Sequence, residues 1–186
     1  KSWSFYNGYQ PGTFATAGNG TGIKLGIMGS VTTTVKRTVN NCVAFKNRSW
    51  GICENQALAN MNLYNNTSVN NGTWNYWFGS WGASPKTFRN TITMGGSTMW
   101  DVFGLDIGSS AIHSNNSWDG TVSATASDFS SMDSSQLTRA RQADGSLPVI
   151  TFVQLASGSD LINVGMNVGL PYSGSLPDLG AFESGL

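Results

Sequence analysis

The sequence predicts an all-β protein, a right-handed parallel β-helix. Three observations predict it. First, short units recur: Asn41-Cys-Val-Ala-Phe, Asn66-Thr-Ser-Val, Asn90-Thr-Ile-Thr and Asn116-Ser-Trp, whose leading asparagines lie 25, 24 and 26 residues apart. Self-similarity at such a period marks a solenoid. Second, each unit is a run of β-branched, aromatic or small residues bounded by Asn, Gly and Ser, which reads as a strand. Third, only 11% of the 186 residues are charged, against about 25% in an average soluble domain. Gly, Asn, Ser and Thr fill the gap, which suits strands and turns. The recurring asparagines are expected to stack as a ladder, since neighbouring parallel strands lie ~4.8 Å apart. Asn40, Asn65 and Asn115 double three of the rungs.

The elements follow in order. Lys1 to Asn7 matches Asn41 to Asn47 position by position, pairing Trp3 with Val43, Ser4 with Ala44, Phe5 with Phe45 and Asn7 with Asn47. That offset leaves room for one period plus an insertion of roughly 15 residues, which the Gly-rich stretch Gly8 to Gly22 supplies. A second strand family runs out of phase with the ladder: Gly22-Ile-Lys-Leu-Gly, Gly51-Ile-Cys-Glu-Asn, Tyr76-Trp-Phe-Gly-Ser and Met99-Trp-Asp-Val-Phe-Gly. Its spacing predicts that Lys24, Cys53 and Phe78 stack on one sheet. Side chains alternate along a strand, so Lys24 faces outward if Ile23 and Leu25 face the core.

After Trp118 the period fades. Residues 121–186 hold a polar stretch, one apolar run from Leu147 to Leu155, and a Gly/Pro-rich tail with apolar anchors Leu179, Ala181 and Phe182. The expected organisation is β-helix coils over 1–120 and, over 121–186, the last coil and an irregular cap packed on the C-terminal end. A solenoid must cover its ends. No equivalent cap precedes Lys1, and the chain begins without methionine, so N-terminal coils are expected to be missing. Earlier coils or another chain would then cover that edge.

Composition narrows the function. Seven Trp, nine Phe and 39% hydrophobic residues exclude a disordered low-complexity segment. Zero formal net charge gives no footprint for nucleic acid or an anionic membrane surface. No apolar run reaches the length of a transmembrane span. Cys42 and Cys53 both fall in predicted strands and read as small buried hydrophobes, with a disulfide as the alternative.

Candidate chemistry is sparse. His113, the sole histidine, sits in a Ser/Asn-rich turn. There is no nucleophile elbow, CxxC pair or His-rich metal pattern. Asp101, Asp106 and Glu54 lie near the second strand family, which leaves two-carboxylate glycoside hydrolysis open. Lys24 remains, outward-facing beside a Gly-rich insertion. It is either a solvated surface lysine or a base, and a base must give up its proton, which burial or nearby cations promote. Arg48 precedes the next strand of that face. It could supply such a field or hold a sugar acid's carboxylate, or be a plain turn arginine.

Gly20-Thr-Gly-Ile-Lys-Leu-Gly, Asn41-Cys-Val-Ala-Phe-Lys-Asn, Trp50-Gly-Ile-Cys-Glu-Asn-Gln and Leu63-Tyr-Asn-Asn-Thr resemble, in that order, motifs of the family 9 pectate lyases. The tail Pro177-Asp-Leu-Gly-Ala-Phe-Glu resembles the ending of such bacterial β-helix enzymes. The resemblance implies calcium-assisted β-elimination of polygalacturonate, with Lys24 as general base; Arg48 and Glu54, close to that strand family, are the candidate substrate-binding residues. It implies calcium ligands upstream of residue 1, because nothing here matches the family's Asp-Asp-Gly-Xaa-Asp run. It also implies a secreted or cell-surface bacterial enzyme acting on an acidic polysaccharide. One departure is Cys53, where the family motif has aspartate. The alternative reading is a non-catalytic β-helical carbohydrate-binding or surface module, with Trp74 to Trp81 stacking on sugars.

Overall fold

A computed structural model describes residues 1–26, 28–79, 85–96 and 104–186, with the backbone alone for 28–36. The chain winds through four coils of three strands. The first coil holds β1 (Trp3–Phe5), β2 (Ile23–Lys24) and β3 (Met28–Asn40). The second holds β4 (Val43–Phe45), β5 (Trp50–Cys53) and β6 (Ala57–Tyr64). The third holds β7 (Thr67–Val69), β8 (Trp74–Trp77) and β9 (Lys86–Arg89), and the fourth β10 (Ile92–Met94), β11 (Leu105–Asp106) and β12 (Ile112–Ser114). Equivalent strands pair in parallel, giving three sheets: β1-β4-β7-β10, β2-β5-β8-β11 and β3-β6-β9-β12. This is a parallel β-helix. The match of Lys1–Asn7 to Asn41–Asn47 holds, with Trp3 opposite Val43 and Phe5 opposite Phe45.

The lumen is filled by Ala44, Ile52, Ala57, Ala59, Met61, Leu63, Tyr76, Phe78 and Phe88, stacked coil on coil. A second apolar core lies outside the solenoid. Val43, Phe45, Val69 and Ile92 face outward from the first sheet and meet Phe129, Leu137, Ile150, Phe152, Leu161 and Leu179. Residues of the 121–186 segment thus pack along the flank of the first sheet. The reason is chemical. The strands of this sheet put large apolar groups on their outer face, and that area needs a cover. Phe152 packs edge-on against Phe45 at 4.8 Å, and the Ala181 amide donates to Thr67 Oγ1 at 3.0 Å. Gly180 is obligatory here: it has φ +91°, and a Cβ would lie 2.6 Å from Ile92 Cδ1. Leu179, Ala181 and Phe182 anchor the tail as expected.

Asparagines organise both ends of the first sheet. The column at its entry is Asn41, Asn65, Asn90 and Asn115, all left-handed with φ of 54°, 51°, 54° and 54°. Asn90 Nδ2 donates to Asn65 Oδ1 at 3.1 Å. Asn66 and Asn116 sit one position further on, in a buried column shared with Cys42 and Thr91. Asn66 Oδ1 accepts the Cys42 amide at 3.0 Å, and Asn116 Oδ1 the Thr91 amide at 2.9 Å. The ladder read from the sequence thus merged two adjacent columns. The Asn-Asn doublets at 65–66 and 115–116 allow either member to be counted, and only backbone conformation separates them.

A further ladder closes the other end. Asn7 Nδ2 donates to Asn47 Oδ1 at 2.7 Å, Asn47 Nδ2 to Asn71 Oδ1 at 2.9 Å, and Asn71 Nδ2 to Asn75 Oδ1 at 2.9 Å. Each amide satisfies buried polar groups that the tight turn leaves without sheet partners. Asn75 is borrowed from β8. It fills the place where the fourth coil has Gly96, whose absent Cβ would lie 3.4 Å from Asn75 Nδ2.

Candidate functional site

The second sheet carries the candidate site on its outer face. Register places Lys24 opposite Cys53, Cys53 opposite Trp77 and Trp77 opposite Asp106. The four side chains form one row along the solenoid axis. Ile23 and Leu25 pack against the lumen core, which turns Lys24 outward, and Lys24 is exposed. The Phe78 expected in this row is instead buried in the lumen, and Trp77 takes its place. Cys53 and its partner Trp77 are 24 positions apart, one fewer than Cys53 and Phe78, and a one-residue slip exchanges faces. Of the fourth strand expected in this family, Met99 to Phe103, including Asp101, lies outside the described residues, as does Trp81. The strand that closes the sheet is Leu105–Asp106.

Cys53 lies between the cation and the indole and is fully buried. Burial pushes its thiol up to about 11, a backbone hydrogen bond and Lys24 pulling weakly the other way. It is therefore a neutral neighbour for Lys24. Both cysteines are free. Trp50, from the strand between those of Lys24 and Trp77, stacks on Trp77 with ring centroids 4.2 Å apart and planes 16° from parallel. Both indoles are partly exposed. Asp106 ends the row. Burial raises its carboxyl above the usual range, partly offset by the Gly108 amide.

Arg48 does not point into this row. Its Nη2 donates to the carbonyls of Gly18 and Asn19, and its side chain packs against Gly8 and Gly20. It pins the 8–22 loop to the second coil just ahead of β2. Glu54 does not join Lys24 either. The alternation that turns Cys53 out turns Glu54 in, where its Oε2 lies 2.9 Å from Lys86 Nζ with both side chains essentially inaccessible. The substrate-binding role expected of Glu54 does not fit this burial. Lys86 itself passed unnoticed in the sequence, although a lysine beside Phe88 in a strand of buried periodicity was the available signal. His113 is on β12, its Nδ1 2.6 Å from Asp119 Oδ1. Asp119 Oδ2 in turn accepts from the Asn116 amide at 3.0 Å, continuing the internal column by one rung.

Among the described residues, no group of three or more His, Cys, Asp or Glu side chains gathers to hold a metal ion. The carboxylates of this region are committed, Glu54 to Lys86 and Asp106 to a partly buried position over Gly79. These residues do not fit a calcium site. No helix among the described residues is long and apolar enough to cross a membrane.

A parallel β-helix with an exposed lysine and a stacked indole pair on its second sheet defines the class. Comparison with known proteins narrows it. No family model matches the chain. Pectate lyase L of Dickeya dadantii (strain 3937) is 40% identical over 186 residues, covering 98% of this chain and 41% of that protein. The crystal structure of pectate lyase Pel9A superimposes with a TM-score of 0.82 at 39% identity, over 97% of this chain and 43% of that one. A rhamnogalacturonan lyase matches with a TM-score of 0.66 at 28% identity, over 83% of this chain and 40% of that one. The chain is thus related in sequence and fold to the pectate lyases, and the resemblance read from its ladder units and lysine strand holds along nearly its whole length. It spans about two-fifths of the length of the curated relatives it matches.

Proposed function

We propose that this chain carries the base-bearing face of a polysaccharide lyase that cleaves a polyuronate, pectate or polygalacturonate, by β-elimination. The observation that carries the reading is the exposed, outward Lys24 on the second sheet of a pectate-lyase-like solenoid. Neutral Lys24 Nζ takes the proton at C5 of a uronate residue. The electron pair left behind forms the C4–C5 double bond as the C4–O bond breaks. The departing oxygen collects a proton from solvent. Arg48 supports the site by holding the loop ahead of β2. Calcium is the ion that the resemblance implies. The described residues do not fit it. A polymer of this kind does not enter a cell, which places the enzyme outside a bacterial cell or at its surface.

The test is product chemistry. The chain, together with whatever sequence adjoins it in its natural protein, is incubated with polygalacturonate. Ultraviolet absorbance of unsaturated uronide ends is expected, and Lys24→Arg abolishes it, since arginine stays protonated. Reducing ends without unsaturation would overturn elimination. Binding without any cleavage would favour the second reading, a non-catalytic carbohydrate-binding module, to which the Trp50–Trp77 pair also lends support.

A further inference from the structure

The stacked indoles ask for an explanation that packing does not give. Several large aromatic side chains fill the two cores: Tyr76, Phe78, Phe88 and Trp118 meet in the lumen, and Trp3, Phe45 and Phe152 on the covered flank. Trp50 and Trp77 belong to neither cluster. They come from adjacent strands, with Trp50 in register with Trp74 and Trp77 with Cys53, and stack nearly parallel at 4.2 Å across that offset. Each keeps part of its surface in water. Trp77 is in register with Lys24 through Cys53, two strand spacings or ~10 Å along the axis. The row therefore reads cation, small neutral residue, aromatic pair and, at the far end, the Asp106 carboxylate.

We propose that Trp50 and Trp77 form a carbohydrate-stacking subsite on the face of Lys24, seating a pyranose ring of the same chain whose uronate meets the lysine. The proposal rests on the polyuronate reading above and deepens it. A pyranose presents an apolar face of C–H groups and a polar rim. Each indole of the stack buries one face against its partner, so the pair offers a sugar an outer ring face held rigid by the other ring, at low entropy cost on binding. The axial row fixes direction: the polysaccharide lies along the solenoid axis, across the strands, with one residue at Lys24 and a neighbour one or two residues away on the indoles. Charge fixes the end. Asp106 repels a uronate carboxylate beyond the indoles, so the favourable stretch runs from β2 to β8.

The experiment titrates oligogalacturonates of increasing length into the protein by calorimetry, for wild type, Trp50→Ala and Trp77→Ala. In wild type, affinity rises as the oligomer grows long enough to reach the indoles. Both alanine variants are expected to lose roughly tenfold in affinity for the longer oligomers, as for loss of an aromatic anchor. Their affinity for the shortest oligomer changes little. In turnover, KM rises more than kcat falls, because a remote contact is made equally in ground and transition states. Trp77→Phe keeps most of the affinity. A measurement without mutation covers the case in which the alanine variants fail to fold. Two parallel indoles give an exciton couplet in circular dichroism, and saturating oligomer is expected to change it. Folded alanine variants that bind long oligomers like wild type, or a couplet unmoved by a bound oligomer, would overturn the subsite. Loss of indole-dependent binding beside intact elimination leaves the lyase reading standing. Indole-dependent binding with no eliminative product sinks the lyase reading and leaves the subsite.

Discussion

The first sheet turns Val43, Phe45, Val69 and Ile92 outward, and residues 121–186 bury them. The second sheet turns Lys24, Cys53, Trp77 and Asp106 outward, and none of these joins an apolar cluster. Both sheets rise on the same four coils with the same parallel register. The difference lies in what alternate positions carry. Apolar outward residues recruit a cover and become structure. Lys24 stays exposed and the Trp50 and Trp77 indoles partly so, which leaves them available to a ligand. A solenoid can therefore assign a separate task to each face without altering its backbone.

That division can be broken one face at a time. Phe152→Ala removes a fully buried ring that packs on Phe45. It is expected to cost about 3–5 kcal/mol in urea unfolding, with oligosaccharide affinity of the folded molecule unchanged. Glu54→Ala strands Lys86 inside the lumen and is expected to cost about 3–5 kcal/mol. Adding Lys86→Met should restore most of that loss, since an apolar replacement of a buried pair is often neutral. If Glu54→Ala left stability intact and abolished binding, Glu54 would belong to the ligand face after all. Asn47→Ala cuts the interior ladder between Asn7 and Asn71 and should cost about 1–3 kcal/mol for the buried groups left unpaired. The smallest effect is at Asp133, in the covering segment. Hydrogen bonds from the Ser135 hydroxyl and amide hold its carboxyl below the usual range. Its contribution is present above the unfolded-state value and is lost as pH falls through the lower folded value. Asp133→Asn should lower the neutral plateau slightly while leaving stability at low pH unchanged, and so flatten the acid limb.

Much of the fold was legible because the coil repeats. The Asn, Phe and Gly landmarks recur, and the pairing of Trp3 with Val43 follows from them. What was not legible turns on single-residue phase. The doublet at 65–66 conceals which asparagine is left-handed, and Tyr76-Trp77-Phe78 conceals which aromatic faces out. The flank contacts of the 121–186 segment were hidden because nothing local tells which face an apolar segment covers. The outward turn of Lys24 was legible from Ile23 and Leu25. Glu54 was misplaced because its partner Lys86 lies 32 positions away on another sheet, and Trp50 was overlooked because it meets Trp77 only after the coil closes.

The central claim is that the Lys24 face does chemistry and the covered face does not. It is tested most directly by Lys24→Ala, assayed for eliminative turnover and for unfolding midpoint in the same preparation, with whatever sequence adjoins the chain in its natural protein. The account predicts a loss of at least ~100-fold in rate, with the midpoint and oligouronate affinity close to wild type, since the lysine acts chiefly in the transition state. Near wild-type elimination by Lys24→Ala would contradict it.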